Sequence, residues 1–207
     1  MNNENENNGN EYKEDARIVL DANDFDKEVW KDILLKNIKW LRGNTSTELV
    51  RPILQGIYID KDEGMAVASD GYVIAAWKPT NSEELNPLPN GLWRVSSIDT
   101  KFISLSRIEG NYPIKYMYDI LNKEHGIETE AGIKVIDVCF NPTLLHHICN
   151  GFDKVKMIVC QCAHLLEMDN EHFGVLMGMH CSNDTINSAE IRDPQTNEPK
   201  TETVEGK

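Results

Sequence analysis

Long apolar runs are missing from this sequence of 207 residues. None approaches the roughly 20 consecutive apolar residues that a membrane-spanning helix requires. The N-terminus, Met1-Asn2-Asn3-Glu4, has neither the basic start nor the apolar core of a secretion signal. We therefore expect a cytoplasmic protein that does not enter a membrane.

Catalytic motifs are also missing. The sequence contains no Gly-x-Ser-x-Gly, no phosphate-binding glycine loop and no His-Glu-x-x-His. The neighbouring histidines His146 and His147 are suited to acid–base chemistry, but no partner residue stands at a supporting spacing. We expect a protein that is not an enzyme, has no catalytic residues and uses no cofactor.

Cysteine is scarce, with five residues that all lie in the second half of the chain. An odd number in a chain without a secretion signal favours reduced thiols over a disulfide framework. Cys160, Cys162 and His164 alternate along a predicted strand and so share one face. With Cys181, His180 or His172 they form an alternative zinc site. Because Cys-x-x-Cys pairs are absent, the pattern favours buried cysteines and no metal.

Positive charge is in deficit, since the formal net charge is −13. The total does not exclude nucleic acid binding, because binding depends on where the basic residues lie. Residues 1–15 and 183–207 are polar and acidic with few large apolar groups, and we predict that both tails are disordered. The domain itself is predicted over residues 16–182.

A predicted helix of the first half has two contrasting sides. It follows a short strand, Arg17–Leu20, begins after Asn23 or Asp24 as N-cap, and ends at Gly43. One side of the helical wheel is apolar: Val29, Trp30, Ile33, Leu34, Trp40 and Leu41. The opposite side is mainly basic, although Glu28 and Asp32 lie among its four cations: Lys31, Lys36, Lys39 and Arg42.

The order of predicted elements repeats along the chain. After the first helix come strands at Ile53–Ile59, Met65–Ala68 and Tyr72–Trp77, then two more at Leu92–Val95 and Thr100–Ile108. The second half gives a strand at Lys134–Phe140, a helix with Asn141 as N-cap and Pro142 at its first position, and three strands at Val155–Cys160, Leu165–Met168 and Gly174–Met179. We therefore predict an α+β fold of two βαβββ repeats, over about 16–110 and 133–182, with helices packed on antiparallel sheets.

Four short segments resemble bacterial DNA polymerase III β sliding clamps. Ala68-Ser69-Asp70-Gly71-Tyr72-Val73-Ile74-Ala75, which follows Arg51–Gly56 and a hairpin, is similar to the Ala-Thr-Asp-Gly-His-Arg-Leu-Ala of those clamps. Glu109–Pro113 resembles their Asp-Gly-x-Phe-Pro. Phe140-Asn141-Pro142 resembles the start of their last helix, and Val175–His180 resembles their terminal Val-Met-Pro-Met-Arg.

The resemblance implies a shortened DNA clamp that tethers replication or repair proteins, such as a DNA polymerase, to duplex DNA. The helices of a clamp line the ring through which DNA passes, so a homo-oligomeric ring is implied as well. The DNA-binding residues would be Lys31, Lys36, Lys39, Arg42, His146, His147 and Lys154. Basic residues on a helix surface are also what phosphate contact without sequence readout requires.

The same resemblance implies a groove that captures apolar peptides of partner proteins. Its matching positions are Leu54, Ser69, Gly71, Tyr72, Ile74, Met177 and Met179. Among its departures from the clamps, Val73 replaces an arginine and Gly178 replaces a proline. The chain is also short for a clamp subunit, and 27 residues follow His180. These departures leave open an acidic protein-interaction module with a clamp-like fold that does not encircle DNA.

Overall fold

The strands form a single antiparallel sheet. The computed structural model describes residues 16–115, 117, 140–158 and 163–178. Within them the sheet has nine strands in the order β1-β6-β5-β2-β3-β4-β9-β8-β7. Their bounds are β1 Arg17–Asp21, β2 Ile57–Asp60, β3 Met65–Ser69, β4 Val73–Trp77, β5 Gly91–Ile98, β6 Phe102–Arg107, β7 Lys156–Ile158, β8 Ala163–Glu167 and β9 His172–Met177.

Two longer helical elements accompany the sheet. The first is a π-helical segment, Val29–Leu35, which continues directly into α1, Lys36–Gly43. The second is α2, Pro142–Ile148. Asn141 caps α2 as predicted, because its Oδ1 accepts a hydrogen bond from the backbone N–H of Thr143 at 2.9 Å. Three short 3-10 segments are also present: Ala22–Asp24, Pro52–Gln55 and Ser82–Leu85.

A helix followed by three strands occurs twice in this sheet. Strands β2, β3 and β4 follow α1, and β7, β8 and β9 follow α2. Because β4 pairs with β9, with Ala75 opposite Gly174, the two three-strand units meet at the centre of the sheet in mirrored order. The α+β prediction is therefore confirmed. The residue bounds of the two repeats stay a prediction, and the predicted strand at Lys134–Phe140 lies outside the described residues except for Phe140.

The two central strands β3 and β4 are buried along their whole length. Ala66, Ala68 and Ala75 belong to a core cluster that also contains Leu34, Ile38 and Leu41 of the first helix, whereas Val67 and Ile74 belong to a second cluster. Successive side chains of a strand point to opposite faces. Both faces of the sheet centre are therefore covered, and these strands appear in the sequence as continuous apolar runs.

A glycine of the sheet lies directly against helix α2. A Cβ built on Gly174 of β9 would lie 2.5 Å from Cδ1 of Ile148, a distance that real Cβ contacts essentially never show. Ile148 is fully buried in the core cluster. The missing side chain at position 174 therefore sets how near α2 can come to the sheet.

Two predicted element bounds were wrong. The strand predicted at Ile53–Ile59 begins only at Ile57, because Pro52 opens a 3-10 turn and Gly56 separates that turn from the strand. The helix predicted to start at Asn23 or Asp24 is preceded by a separate 3-10 turn capped by Asp21. The main helix starts after Asp26, whose Oδ1 accepts a hydrogen bond from the N–H of Glu28 at 2.8 Å.

Candidate functional site: a basic helical face beside a cavity

The basic side of the first helix faces solvent. Trp30, Leu34, Ile38 and Leu41 are buried against the sheet. The four cations named from the sequence are all exposed, as are the acidic residues among them: Lys31, Lys36, Lys39, Arg42, Glu28 and Asp32. The structure thus brings three lysines and an arginine together on one exposed helical side.

The ends of the two helices are joined by hydrogen bonds. Nε2 of His147 lies 2.5 Å from the carbonyl oxygen of Gly43, and Nε1 of Trp40 donates to the carbonyl oxygen of Ile148 at 2.9 Å. His146 is exposed on α2, and Lys154 is exposed just before β7. The second helix therefore lies beside the first, but its exposed side carries histidines instead of lysines.

A chain of three polar side chains, two of them buried, lies beside this junction. Nδ1 of His172 is 2.8 Å from Oδ1 of Asp169, and Nε2 of His172 is 3.0 Å from Oδ1 of Asn37. His172 and Asn37 are both only 4% exposed. Both ring nitrogens of His172 therefore lie within hydrogen-bonding distance of a side-chain oxygen, which fixes the orientation of the ring.

Asp169 is held in its ionised form by its surroundings. Partial burial alone would raise the pKa of its carboxyl group, but hydrogen bonds from the N–H groups of Glu171 and His172, and the imidazole of His172, bring the pKa below its ordinary value of 3.8. Because the folded-state pKa is depressed, the ionised carboxylate stabilises the fold above the ordinary value. That stability is lost as pH falls through the lowered pKa.

Replacing Asp169 with asparagine should make the protein less sensitive to acid. We expect D169N to be less stable than the wild type at about pH 5, and the difference in the free energy of unfolding to shrink as the pH falls below about 4. Urea unfolding at a series of pH values measures that difference. The pKa of Glu171 is also lowered, chiefly by a backbone hydrogen bond from Thr80, and Asp169 makes a smaller contribution that raises it. A difference that stays constant with pH would contradict the assignment.

A cavity of about 310 Å³ opens beside this polar chain. Its walls include the aromatic rings of Trp40, Phe152 and His172, with ring centroids of Trp40 and His172 5.1 Å apart and those of Phe152 and His172 5.0 Å apart. Lys36 and Lys39 also line it. The cavity therefore lies at the basic helical face.

The predicted peptide groove is only partly open at the surface. Tyr72 is 52% exposed and Met177 is 47% exposed, and the backbone N–H of Met177 donates to the carbonyl oxygen of Tyr72 at 2.9 Å. Gly71 is exposed at a positive φ of 98° beside Arg51 and Leu54. By contrast, Ser69 and Ile74 are buried, and Met179 lies outside the described residues.

The buried groups of the predicted groove have structural partners. The hydroxyl of Ser69 donates to the carbonyl oxygen of Val73 at 2.7 Å and accepts from the N–H of Gly71 at 3.0 Å, which fixes the turn that presents Tyr72. Ile74 packs in the second core cluster. The guanidinium carbon of Arg51 lies 5.9 Å from the centre of the Tyr72 ring. Arg51 was not singled out from the sequence, although it stands in a segment that resembles the clamps.

Comparison with solved structures identifies the architecture. The DNA polymerase sliding clamp of Caulobacter crescentus matches with a TM-score of 0.51 and 16% identity over 81% of this chain and 66% of that chain. The chain has the fold of a bacterial sliding clamp. The β subunit of DNA polymerase III from Borrelia burgdorferi, solved with a natural product, also matches, with a TM-score of 0.47, 15% identity, and coverage of 81% of this chain and 65% of that chain. The chain thus spans just under two thirds of the length of these clamps.

Comparisons at the level of sequence found no match. No protein-family model matches the chain, and no curated protein matches it. Among the described residues, no helix is long and apolar enough to cross a membrane. The same residues contain no group of three or more histidines, cysteines or acids placed to hold a metal ion. Cys160, Cys162, His180 and Cys181 of the alternative zinc site lie outside that part of the chain.

Sequence reasoning missed the polar chain and the cavity within this clamp fold. Asn37 and Phe152 were not singled out, and His172 was considered only as a zinc ligand. One signal was available for Asn37, because it is a polar residue among the apolar positions of the first helix. No local pattern links Asn37 to His172, since the two residues are distant in sequence and meet only when α1 packs on the sheet.

Proposed function

We propose that this chain is a non-catalytic, clamp-like factor that tethers a replication or repair protein to duplex DNA. The observation that carries the proposal is the exposed cluster of Lys31, Lys36, Lys39 and Arg42 on a helix of a clamp fold. In a protein with a net charge of −13, this local concentration of cations on a helical surface is the feature that suits a polyanion.

The expected mode of contact is electrostatic and independent of base sequence. Lysine and arginine side chains on a helix surface neutralise phosphates and release counterions, and such contacts carry no base information. A protein held by them can therefore move along the duplex. His146, His147 and Lys154 extend the same surface toward the second helix.

Tethering by topology would require more than one copy of this chain or a larger partner. The chain spans just under two thirds of the matched clamp subunits, so a closed ring would need additional domains. We propose a homo-oligomeric ring, which makes native mass the most direct measurement.

The partner protein is proposed to dock through an apolar peptide at the exposed end of β4 and β9. Tyr72 and Met177 provide an aromatic ring and a flexible thioether there, a combination that adapts to apolar side chains. Gly71 and Leu54 lie next to them. A DNA polymerase or another replication or repair protein is the expected class of partner.

One alternative is an acidic protein-interaction module that retains the clamp fold without encircling DNA. The observation in its favour is the second helix, whose exposed residues include Pro142, Thr143, His146 and His147 and no lysine or arginine. A DNA-encircling surface would gain from cations there as well. The two functions make opposite predictions for duplex binding.

Native mass spectrometry and duplex binding across a salt series distinguish them. A clamp-like factor should form an oligomer, or a complex of similar size, and bind a duplex of any sequence with an affinity that falls steeply as salt rises. Two duplexes of unrelated sequence serve as the internal control. A monomer with no affinity for duplex DNA at low salt would instead support the interaction module.

A further inference from the structure

The cavity beside α1 combines three kinds of chemistry in one place. Trp40, Phe152 and His172 supply aromatic walls, Lys36 and Lys39 supply ammonium groups, and Asn37 supplies an amide. Its volume of about 310 Å³ falls in the size range of small-molecule sites. A ligand that uses all three must carry a planar ring, a hydrogen-bond acceptor and negative charge.

The amide of Asn37 is the most specific element of this site. Asn37 is only 4% exposed and lines the cavity, and its Oδ1 is engaged by Nε2 of His172. The NH₂ group of Asn37 is not among the buried side-chain atoms that lack a partner in the described part of the chain, which include Nε1 of Trp77 and the hydroxyl of Tyr112. That NH₂ group offers a ligand two hydrogen-bond donors at the cavity wall. The chain from Asp169 through His172 holds the amide so that its NH₂ group remains available.

The positive charge at the cavity is not cancelled by the neighbouring helix ends. The carbonyl groups at a helix C-terminus carry partial negative charge that would repel an anion. Here the carbonyl of Gly43 meets the imidazole of His147, and the carbonyl of Ile148 accepts a hydrogen bond from Trp40. Lys36 and Lys39 are exposed and form no ion pair with any described residue. Their ammonium groups are therefore available to a phosphate.

We propose that this cavity binds one unpaired nucleotide. The base would contact the aromatic walls and accept a hydrogen bond from Nδ2 of Asn37, while its phosphate would contact Lys36 and Lys39. Stacking on aromatic side chains combined with a cationic groove is how proteins hold single-stranded nucleic acid. The site goes beyond the proposed duplex contact, and it rests on the proposed function only in taking a DNA strand as one source of the nucleotide.

The nucleotide has two sources, a free mononucleotide or one unit of a single strand. Isothermal titration calorimetry distinguishes these two sources. The ligands are thymidine monophosphate, inorganic phosphate, thymidine and a short oligothymidylate. Thymidine monophosphate should bind more tightly than either of its parts. An oligothymidylate that binds more tightly than the mononucleotide indicates the strand as the source, and equal affinities per nucleotide indicate the free nucleotide. Phosphate binding as tight as that of the mononucleotide would overturn the proposal.

Matched double variants separate the cavity from the rest of the basic face. Lys36→Ala with Lys39→Ala should weaken binding of thymidine monophosphate by about tenfold or more, because two charge-assisted contacts are lost. Lys31→Ala with Arg42→Ala removes the same charge from the first helix, but neither residue lines the cavity, and this double variant should change the affinity by less than about twofold. Equal losses in the two variants would overturn the proposal.

A third variant tests the aromatic wall. Phe152→Leu keeps an apolar side chain of similar size. It should weaken the binding of thymidine monophosphate by about fivefold or more, because stacking on the aromatic ring is lost. Thermal unfolding of each variant shows whether the fold is intact. Mononucleotide binding without duplex binding would leave the cavity site standing and overturn the duplex proposal, whereas duplex binding without mononucleotide binding would do the reverse.

Discussion

Replacing Gly174 with valine is expected to lower the free energy of unfolding by about 3 kcal/mol. A Cβ at this position would lie 2.5 Å from Cδ1 of Ile148 and 3.4 Å from the backbone oxygen of Ile74. The strand cannot move away, because Gly174 is paired with Ala75 on one side and Leu166 on the other. The buried side chain of Ile148 would have to adopt another rotamer, or α2 would have to move away from the sheet. Chemical denaturation of the variant measures the resulting loss of stability.

A double-mutant cycle identifies the cause of that loss. Ile148→Val removes Cδ1, the atom that the new side chain would meet first. Gly174→Ala should therefore destabilise the wild-type background by about 1–2 kcal/mol more than the Ile148→Val background. Strictly additive effects would show that the two positions do not oppose each other and that the close approach of α2 is not what position 174 controls.

Removing the basic helical side should abolish most duplex binding. The variant neutralises four residues together: Lys31, Lys36, Lys39 and Arg42. The plot of log affinity against log salt should become shallower by about 3–4, because each phosphate contact contributes close to one to the magnitude of its slope. Affinity at low salt should weaken by at least about a hundredfold. Fluorescence anisotropy of a labelled duplex at several salt concentrations gives both quantities. All four side chains are exposed, so the fold should tolerate their replacement.

The matched control removes three lysines and one arginine elsewhere. Four other cations are also exposed and lie outside the two longer helices: Lys61, Lys78, Arg107 and Lys115. Their combined neutralisation changes the net charge by the same amount. If this variant lost as much affinity as the first, binding would follow overall charge and the helical side would have no special role.

Local chemistry made much of the fold predictable. The pair Asn141-Pro142 predicted the start of α2. The apolar runs Met65–Ala68 and Tyr72–Trp77 predicted the two strands at the centre of the sheet. The alternation of apolar and basic positions in the first helix was enough to place Trp30, Leu34 and Leu41 inside and four cations outside. In each case the signal lies within a few neighbouring residues.

Other features depend on departures from regular geometry. The helical wheel assumed 3.6 residues per turn, but Val29–Leu35 is π-helical, and its wider turn changes which later positions face inward. Leu35, at the end of this segment, is buried although it was not assigned to the apolar side. Asn37 and Ile38 are also buried, but their spacing from Leu34 and Leu41 already suits the apolar side of a regular helix. The cavity escaped prediction for a further reason, because Asn37, Phe152 and His172 meet only when α1, the loop after α2 and β9 are assembled.

The pairing of β4 with β9 has a consequence for how this protein is made. These strands come from opposite halves of the chain, so the middle of the sheet cannot close until synthesis has passed β9. Until then the strand Val-Ile-Ala-Ala-Trp presents an uncovered apolar edge, the kind of surface through which nascent chains aggregate. We expect chains that stop before β9 to require chaperones, and chains that contain β9 to fold slowly for their size.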